Sequence, residues 1–565
     1  MIQTLLKTNK SFSQFARETD NLGGADSLSA FWKSWKWWLA PALAGLGLVL
    51  YFVDPFIGDW DGMDYTMLSL SGYPSSMALG RNLFIFSNHF LFVVANSLFH
   101  LQPENAYLLF KYAVVVQAPL AIIACWVLAY SLSHSLYTAT TSALLIVCCP
   151  VFVLYGGQVM TDVPSVLLLG IALVVHLRGI QQNKFWLILG GAALMGLGVN
   201  LRETIGFYAP WLVLAPLACG WKLRRRELLI VGASCLVFAL LAFGWFGYWF
   251  ITDPHYRHIW YGWRESMREE SGRHPVELAN LKPFFVYLFI TAPVVFLSIP
   301  LVIRNEWKRR HLTPMLALWM VALFADVLLF FNYSTTVNWR YFLTGLPGLA
   351  PLGAYWLLSL GVRFLGETRR AFVACVLVIA AFATAFGLFI RPVSSDFIQR
   401  RAMSKDYKER LQQVPTDAVM ISGAQTIAVT YWAAIGSGRW ETIGTGGGWP
   451  GDRLFAVVND DFAKGKRVFI DSDPRWWLPC GWQRDEIPLI TELEQHFRFR
   501  RVTDSIFELR PSTDNSAQDQ PNLKRLLPEN RPEDKGSVQL DLSLRPCPTN
   551  YFLPFATFAR VINAA

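Results

Sequence analysis

The sequence predicts a polytopic α-helical membrane protein of about eleven transmembrane helices followed by a soluble C-terminal α/β domain, and three observations carry that prediction. Hydrophobic residues fill 53% of the 565 positions and charged residues only 16%, whereas about a quarter of a soluble domain is charged. Apolar runs of roughly 17 to 25 residues, the length that crosses a hydrocarbon core, recur through the first two thirds of the chain. After Arg391 these runs stop, and short apolar strands alternate with amphipathic helices.

Taken in order, the spans fall near 38–53, 106–132, 136–155, 162–178, 184–201, 203–220, 227–251, 284–303, 313–333, 342–362 and 371–391. Residues 1–37 carry no cleavable signal pattern and form a cytoplasmic segment; Lys33, Lys36 and the tryptophans of "FWKSWKWW" mark the inner interface of an uncleaved anchor. The stretch 83–101 is long enough to span but contains Ser87, Asn88, His89, Asn96 and His100. Reading it as an interfacial helix leaves "HLRGIQQNK", "WKLRRRE", "RNEWKRRH" and "VRFLGETRR" on the cytoplasmic side, as the positive-inside rule requires. Counting it as a span would export all four.

The expected organisation is therefore a membrane module over 38–391 with an outer loop at 54–105, an extracytoplasmic α/β domain at 392–510, and a partly disordered tail at 511–565. In the domain, "DAVMISG" and "KRVFIDSD" read as buried strands and "SKDYKERLQQ" and "LITELEQHF" as helices. The glycine run "IGTGGGWPGD" lacks the Lys-Ser/Thr ending of a phosphate-binding loop. The expected location is the inner (plasma) membrane.

The net charge of +9 does not point to nucleic acid, because the basic residues sit in short clusters between apolar runs. Six of the eight cysteines lie in apolar segments; Cys480 and Cys547 fall in polar sequence, where an oxidising compartment would allow them to pair. No Cys/His cluster points to a metal.

Charged residues concentrate on the outer side of this topology. "GDWDGMDY" places Asp59, Asp61 and Asp64 directly after the first span. Asp162 heads the apolar helix of "MTDVPSVLLLG", where it or Thr161 could cap the helix and where an anion is favoured in any case. Arg202, with Glu203 beside it, lies between two apolar runs with almost no loop; Arg340 and Arg81 are similarly placed. Outward arginines run against the positive-inside bias and need a local reason. Pairing with Glu203 or the loop acids is one, and a phosphate held by the bidentate guanidinium fork is the other. Acids and arginines at an outer interface suit an amphipathic substrate with a lipid tail and a phosphate head. Asp326 in "VALFADVLLFF" is an intramembrane acid whose mid-span place suits pairing with another helix. The loop 252–283 reads equally as a mobile lid or as an amphipathic interfacial helix.

These motifs resemble those of the GT-C class of membrane glycosyltransferases, which includes aminoarabinose transferases and protein O-mannosyltransferases. Members carry an acid in the first outer loop, often as Asp-Glu-x-x-Tyr; Asp61-Gly62-Met63-Asp64-Tyr65 keeps the spacing to Tyr65 but has glycine in place of the second acid. Thr161-Asp162-Val163-Pro164 resembles the second acidic motif, Arg202 stands where a basic residue often follows the fifth span, and Arg340-Tyr341 resembles a later Arg-Tyr pair. The resemblance covers roughly 38–365. It implies a polyprenyl-phosphate sugar donor, a glycan, lipid or protein acceptor, and an inverting transfer with Asp61 as general base and Asp59 as the next choice. Asp162 would orient the site, with Arg202, Arg340, Arg81, Tyr65, Glu203 and Tyr341 lining it. It leaves a divalent metal cation open. A transporter of lipid-linked sugars, or a non-catalytic assembly subunit of the same class, would use similar residues; polar groups gathered on one face, without inverted repeats, favour the enzyme.

Overall fold

The computed structural model describes residues 34–53, 60–74, 79, 81–258, 260–261, 264, 288–289, 292–309, 311–332, 339–385, 409, 411–422, 425–436, 438–444, 451–471, 492–503 and 506–513. The chain divides into two compact units: Met1–Val53, Gly72–Phe90 and Phe110–Leu388 form one, and Asp54–Ser71, Leu91–Leu109 and Phe389–Ala565 form the other. Asp59, Cys480, Cys547, most of the loop 252–283 and the tail 511–565 beyond residue 513 lie outside the described residues.

The helices, in chain order, are α1 (Trp35–Phe52), α2 (Trp60–Ser71), α3 (Asn82–Phe99), α4 (Ala106–Ser133), α5 (Leu136–Val147), α6 (Pro150–Tyr155), α7 (Asp162–Gln181), α8 (Phe185–Val199), α9 (Trp211–Ala218), α10 (Arg225–Thr252), α11 (Pro293–Arg309), α12 (Pro314–Asn332), α13 (Leu346–Leu365), α14 (Thr368–Ala385), α15 (Gln425–Ala434) and α16 (Gly451–Ala463). Six segments among the described residues are long and apolar enough to cross a membrane: α3, α4 with its preceding turn, α7, α10, α13 with its preceding turn, and α14. The protein is a multi-pass membrane protein, and the fold confirms six such helices where the sequence suggested about eleven spans.

The differences have local causes. The run 136–155 is one span in the sequence but two helices in the structure, because Pro150 stands at the start of α6 and cannot continue the hydrogen-bond ladder of α5. The run 203–220 splits at Pro210 into a 3-10 turn, Glu203–Tyr208, and the short α9. The stretch expected to be interfacial forms the 18-residue α3, which by length and hydropathy qualifies as a span. Its polar Asn88 is buried, and Phe86 stacks on Trp245 of α10 at 5.2 Å.

In the second unit, α2 packs on α15, and Tyr107 meets Tyr431 edge-on at 6.4 Å. A five-stranded mixed sheet runs in the order β2-β1-β3-β5-β4, with β1 (Val419–Ser422), β2 (Glu441–Gly444), β3 (Val468–Asp471), β4 (Phe497–Arg501) and β5 (Ile506–Pro511). The β1 strand pairs parallel with β2 and β3, while β5 runs antiparallel to β3 and β4. Val419, Ile421, Val468 and Ile470 alternate onto a buried face with Leu454, Val458, Phe499 and Phe507. The two strands read from the sequence are thus the centre of the sheet. The helix expected from "LITELEQHF" gives way to β4 at Phe497, and that expected from "SKDYKERLQQ" lies mostly outside the described residues.

Candidate functional site

The site in the helical unit is assembled where three chain breaks coincide. Helix α8 ends at Val199, and Asn200 anchors the chain as it leaves the helix. Its side-chain amide donates to the Leu241 carbonyl of α10 at 2.7 Å, and its own carbonyl accepts from the Leu83 N–H of α3 at 3.0 Å. Two residues later Arg202 is 1% exposed. Its Nη1 lies 2.8 Å from Asp162 Oδ1 and donates to Thr161 Oγ1 at 3.1 Å. Thr161 occupies the N-cap position of α7 without a side-chain capping bond, so its hydroxyl serves Arg202 instead of the helix. Asp162 is the first residue of α7 and 1% exposed, where the partial positive charge of the helix terminus and Arg202 together stabilise a carboxylate.

The second arginine arrives on the 3-10 turn Trp339–Gly345. Tyr341 of this turn is buried, with the Arg202 guanidinium at 4.7 Å and that of Arg340 at 5.8 Å from its ring centroid. Arg340 also sits 5.7 Å from the Tyr155 ring, and its Nη1 lies 3.3 Å from the Met160 sulfur. The Tyr208 hydroxyl donates to the Thr344 carbonyl at 2.7 Å, tying the turn after Arg202 to the turn that carries Arg340. Asp326 of α12 is fully buried with its carboxylate against Gly345, where any side chain would collide with it.

Arg81 adopts a left-handed backbone (φ 43°), is buried, and reaches Glu203 Oε1 with its Nη2 at 3.3 Å. A non-glycine residue there costs about 1–3 kcal/mol and persists only where its surroundings fix it. The arginines therefore have acid partners, but not all those anticipated: Glu203 takes Arg81, and Asp162 takes Arg202. The Nε and Nη2 of Arg202 have no hydrogen-bond partner among the described residues.

Asp61 and Tyr65 belong to the second unit. Asp61 is half-buried in the first turn of α2, and Tyr65, one turn later, is fully buried. A β-carbon at Gly62 would stand 3.0 Å from Tyr107 Oη, so a side chain there would press on that ring. Among the described residues no group of three His, Cys, Asp or Glu side chains is arranged to hold a metal ion.

Sequence reasoning gave Thr161 only a helix-capping role and missed Met160, Tyr155 and Asn200 as parts of this site. Their signal was only adjacency to Asp162 and Arg202; the contacts that give them a role are between distant segments.

A helical unit with acids and arginines gathered where its helices break has the fold of the GT-C glycosyltransferases. Residues 108–249 match the family model described as dolichyl-phosphate-mannose-protein mannosyltransferase. The chain is similar to ArnT from Cupriavidus metallidurans, solved bound to undecaprenyl phosphate, with a TM-score of 0.55 and 15% identity over 84% of this chain and 98% of that one. It also aligns with the Archaeoglobus fulgidus oligosaccharyltransferase, solved with Zn and sulfate, at a TM-score of 0.46 and 12% identity over 84% of this chain and 73% of that one. No curated protein matches by sequence.

Proposed function

We propose that this protein is a membrane glycosyltransferase that moves a hexosyl or pentosyl group from a polyprenyl-phosphate donor to a hydroxyl of an extracytoplasmic glycan, lipid or protein, with inversion. In this reading the N-terminus is cytoplasmic, about eleven segments cross the inner membrane, and the C-terminal α/β domain is extracytoplasmic.

The observation that carries the reading is the buried Asp162–Arg202–Tyr341–Arg340 assembly in a fold shared with a protein solved bound to undecaprenyl phosphate. A lipid phosphate needs positive charge at the end of a membrane path, and Arg202 has two nitrogens to offer it while Asp162 fixes its orientation. Arg340 and Arg81 add charge that stabilises the departing phosphate, and Tyr341 lies beside two guanidiniums. Glu203 holds Arg81 in its strained backbone. Asp61 is the general base: its carboxylate takes the acceptor hydroxyl proton, the oxygen bonds to the anomeric carbon, and the carbon–phosphate-oxygen bond breaks with its electron pair leaving on the polyprenyl phosphate. Tyr65 positions the helix turn that carries Asp61, and Asp59 is the alternative base.

The test is consumption of a polyprenyl-phosphate sugar by the purified full chain in detergent. Asp61→Asn is expected to lower turnover by about 10²–10⁴-fold, the usual worth of a general base, while the protein stays folded and binds polyprenyl phosphate. Near-normal turnover would remove Asp61 from this role.

A further inference from the structure

At the basic end of α11 and α12, remote in sequence from Asp162 and Arg202, the helices leave an open groove of about 530 Å³ between them. Val302, Ile303 and Trp307 of α11 and Leu316, Trp319 and Met320 of α12 line it. Ile303, Trp307 and Met320 are exposed at 50%, 81% and 48%, so the groove is open to the outside of the helical unit. We infer that it is a binding site for an anionic glycerophospholipid from the leaflet on the side of the basic loop 308–313.

Charge selects the occupant. Between residues 302 and 320 the only acid is Glu306, against Arg304, Lys308, Arg309, Arg310 and His311. Glu306 is buried and already committed: its Oε1 accepts from Trp356 Nε1 at 2.9 Å and lies 3.6 Å from Arg309 Nη1. Arg309 is in turn fixed by Trp356, 4.5 Å below its guanidinium, and by the Tyr355 hydroxyl at 3.0 Å. One acid and one arginine thus neutralise each other inside. Arg304, Lys308 and His311 stay exposed, with no ion pair among the described residues. Positive charge at the lip of an apolar groove between helices is complementary to a negatively charged head group above acyl chains.

Depth agrees with charge. Trp319 lies five residues into α12 from Pro314, about 8 Å along the axis at 1.5 Å per residue, which is the thickness of the polar region between head group and hydrocarbon. Its indole N–H is buried and has no partner among the described residues.

The test uses the purified full chain. Native mass spectrometry with added dioleoyl phosphatidylglycerol or dioleoyl phosphatidylcholine is expected to show selective retention of phosphatidylglycerol. The double variant Lys308→Gln/His311→Gln should lower that retention roughly fivefold, the size of one basic side chain's attraction to an anionic lipid surface. Ile303→Trp should plug the groove and lower it without changing charge. A photoactivatable phosphatidylglycerol on the unmodified protein should label residues 302–320. Equal retention of both lipids, unchanged retention in both variants, labelling elsewhere, or displacement of the label by undecaprenyl phosphate would each overturn the inference. None of these outcomes depends on glycosyl transfer.

Discussion

The acid–arginine cluster at the head of α7 and the one on the sheet of the second unit use the same chemical groups in opposite surroundings. Asp162 and Arg202 leave only 1% and 2% of their side chains exposed and are held 2.8 Å apart. On the sheet, Glu508 is also buried, but it collects three arginines that stay 28–48% exposed: Arg467 at 2.6 Å, Arg500 at 2.7 Å and Arg510 at 3.4 Å. In the first cluster both charges are withdrawn from water, so each depends wholly on the other. In the second, water shares the load, and the surplus of arginines makes any one of them dispensable. The first arrangement sets one geometry; the second tolerates many.

The largest break in this comparison is Asp162→Asn, which strands the Arg202 charge at depth and should cost about 3–5 kcal/mol. The double variant Asp162→Asn/Arg202→Met should recover much of that loss, since removing both charges is cheaper than stranding one. Thermal aggregation midpoints of the detergent-solubilised variants measure it; additive losses would mean that the pair is not a unit. Arg202→Lys keeps the charge but not the fork, and should lower affinity for undecaprenyl phosphate about tenfold, or 1.4 kcal/mol.

Glu508→Gln should cost the sheet less, about 1–2 kcal/mol, because its partners are half solvated. Added salt near 1 M should shrink this difference while leaving the Asp162 effect in place, since screening acts on exposed charges. Hydrogen exchange of β3, β4 and β5 reads it out.

Acidification sharpens the same contrast. Burial alone would raise the Glu508 carboxyl, but the hydrogen bond and charge of Arg467, with the charges of Arg500 and Arg510, outweigh it and hold the group below the usual carboxylate range. Its contribution is therefore complete above the ordinary carboxylate pKa and is lost as pH falls through the lowered folded value. Exchange protection of the sheet should fall with pH in that acid window in the unmodified protein and stay flatter in Glu508→Gln.

The smallest effect is expected at the Tyr73 hydroxyl, which donates to Asp253 at 2.8 Å; burial and that carboxylate push its pKa up to about 12. Tyr73→Phe should leave the midpoint nearly unchanged and raise exchange only around 253–257, where the Asp253 carboxylate also accepts from the backbone of His255 and Tyr256.

Much of this architecture is legible in the sequence. Hydrophobic run length and the distribution of lysine and arginine point to the membrane module, because lipid admits only internally bonded helices and charges sort by side. Alternation marks β1 and β3. Asp162, Arg202, Arg340 and Tyr341 are each visible as polar residues that an apolar neighbourhood does not explain. Their pairing is not legible, because Asp162 begins α7 while Arg202 lies in the chain break after α8, and sequence proximity favours Glu203 as the partner of Arg202. The breaks at Pro150 and Pro210 are not legible either, because they divide runs that a hydropathy window reads as continuous.

The sequence by itself determined that this chain lives in a membrane, carries a mixed α/β domain after it, and concentrates acids and arginines where helices begin and end. Those are consequences of local composition and periodicity, which solvent transfer and hydrogen-bond geometry act on residue by residue. Only the tertiary structure decided which arginine answers which acid, that Tyr341 lies beside two guanidiniums, that Asn200 and Tyr208 bind the broken turns together, and that the groove at the basic end of α11 and α12 exists. These are contacts between segments distant in sequence, and their selection depends on how whole helices pack.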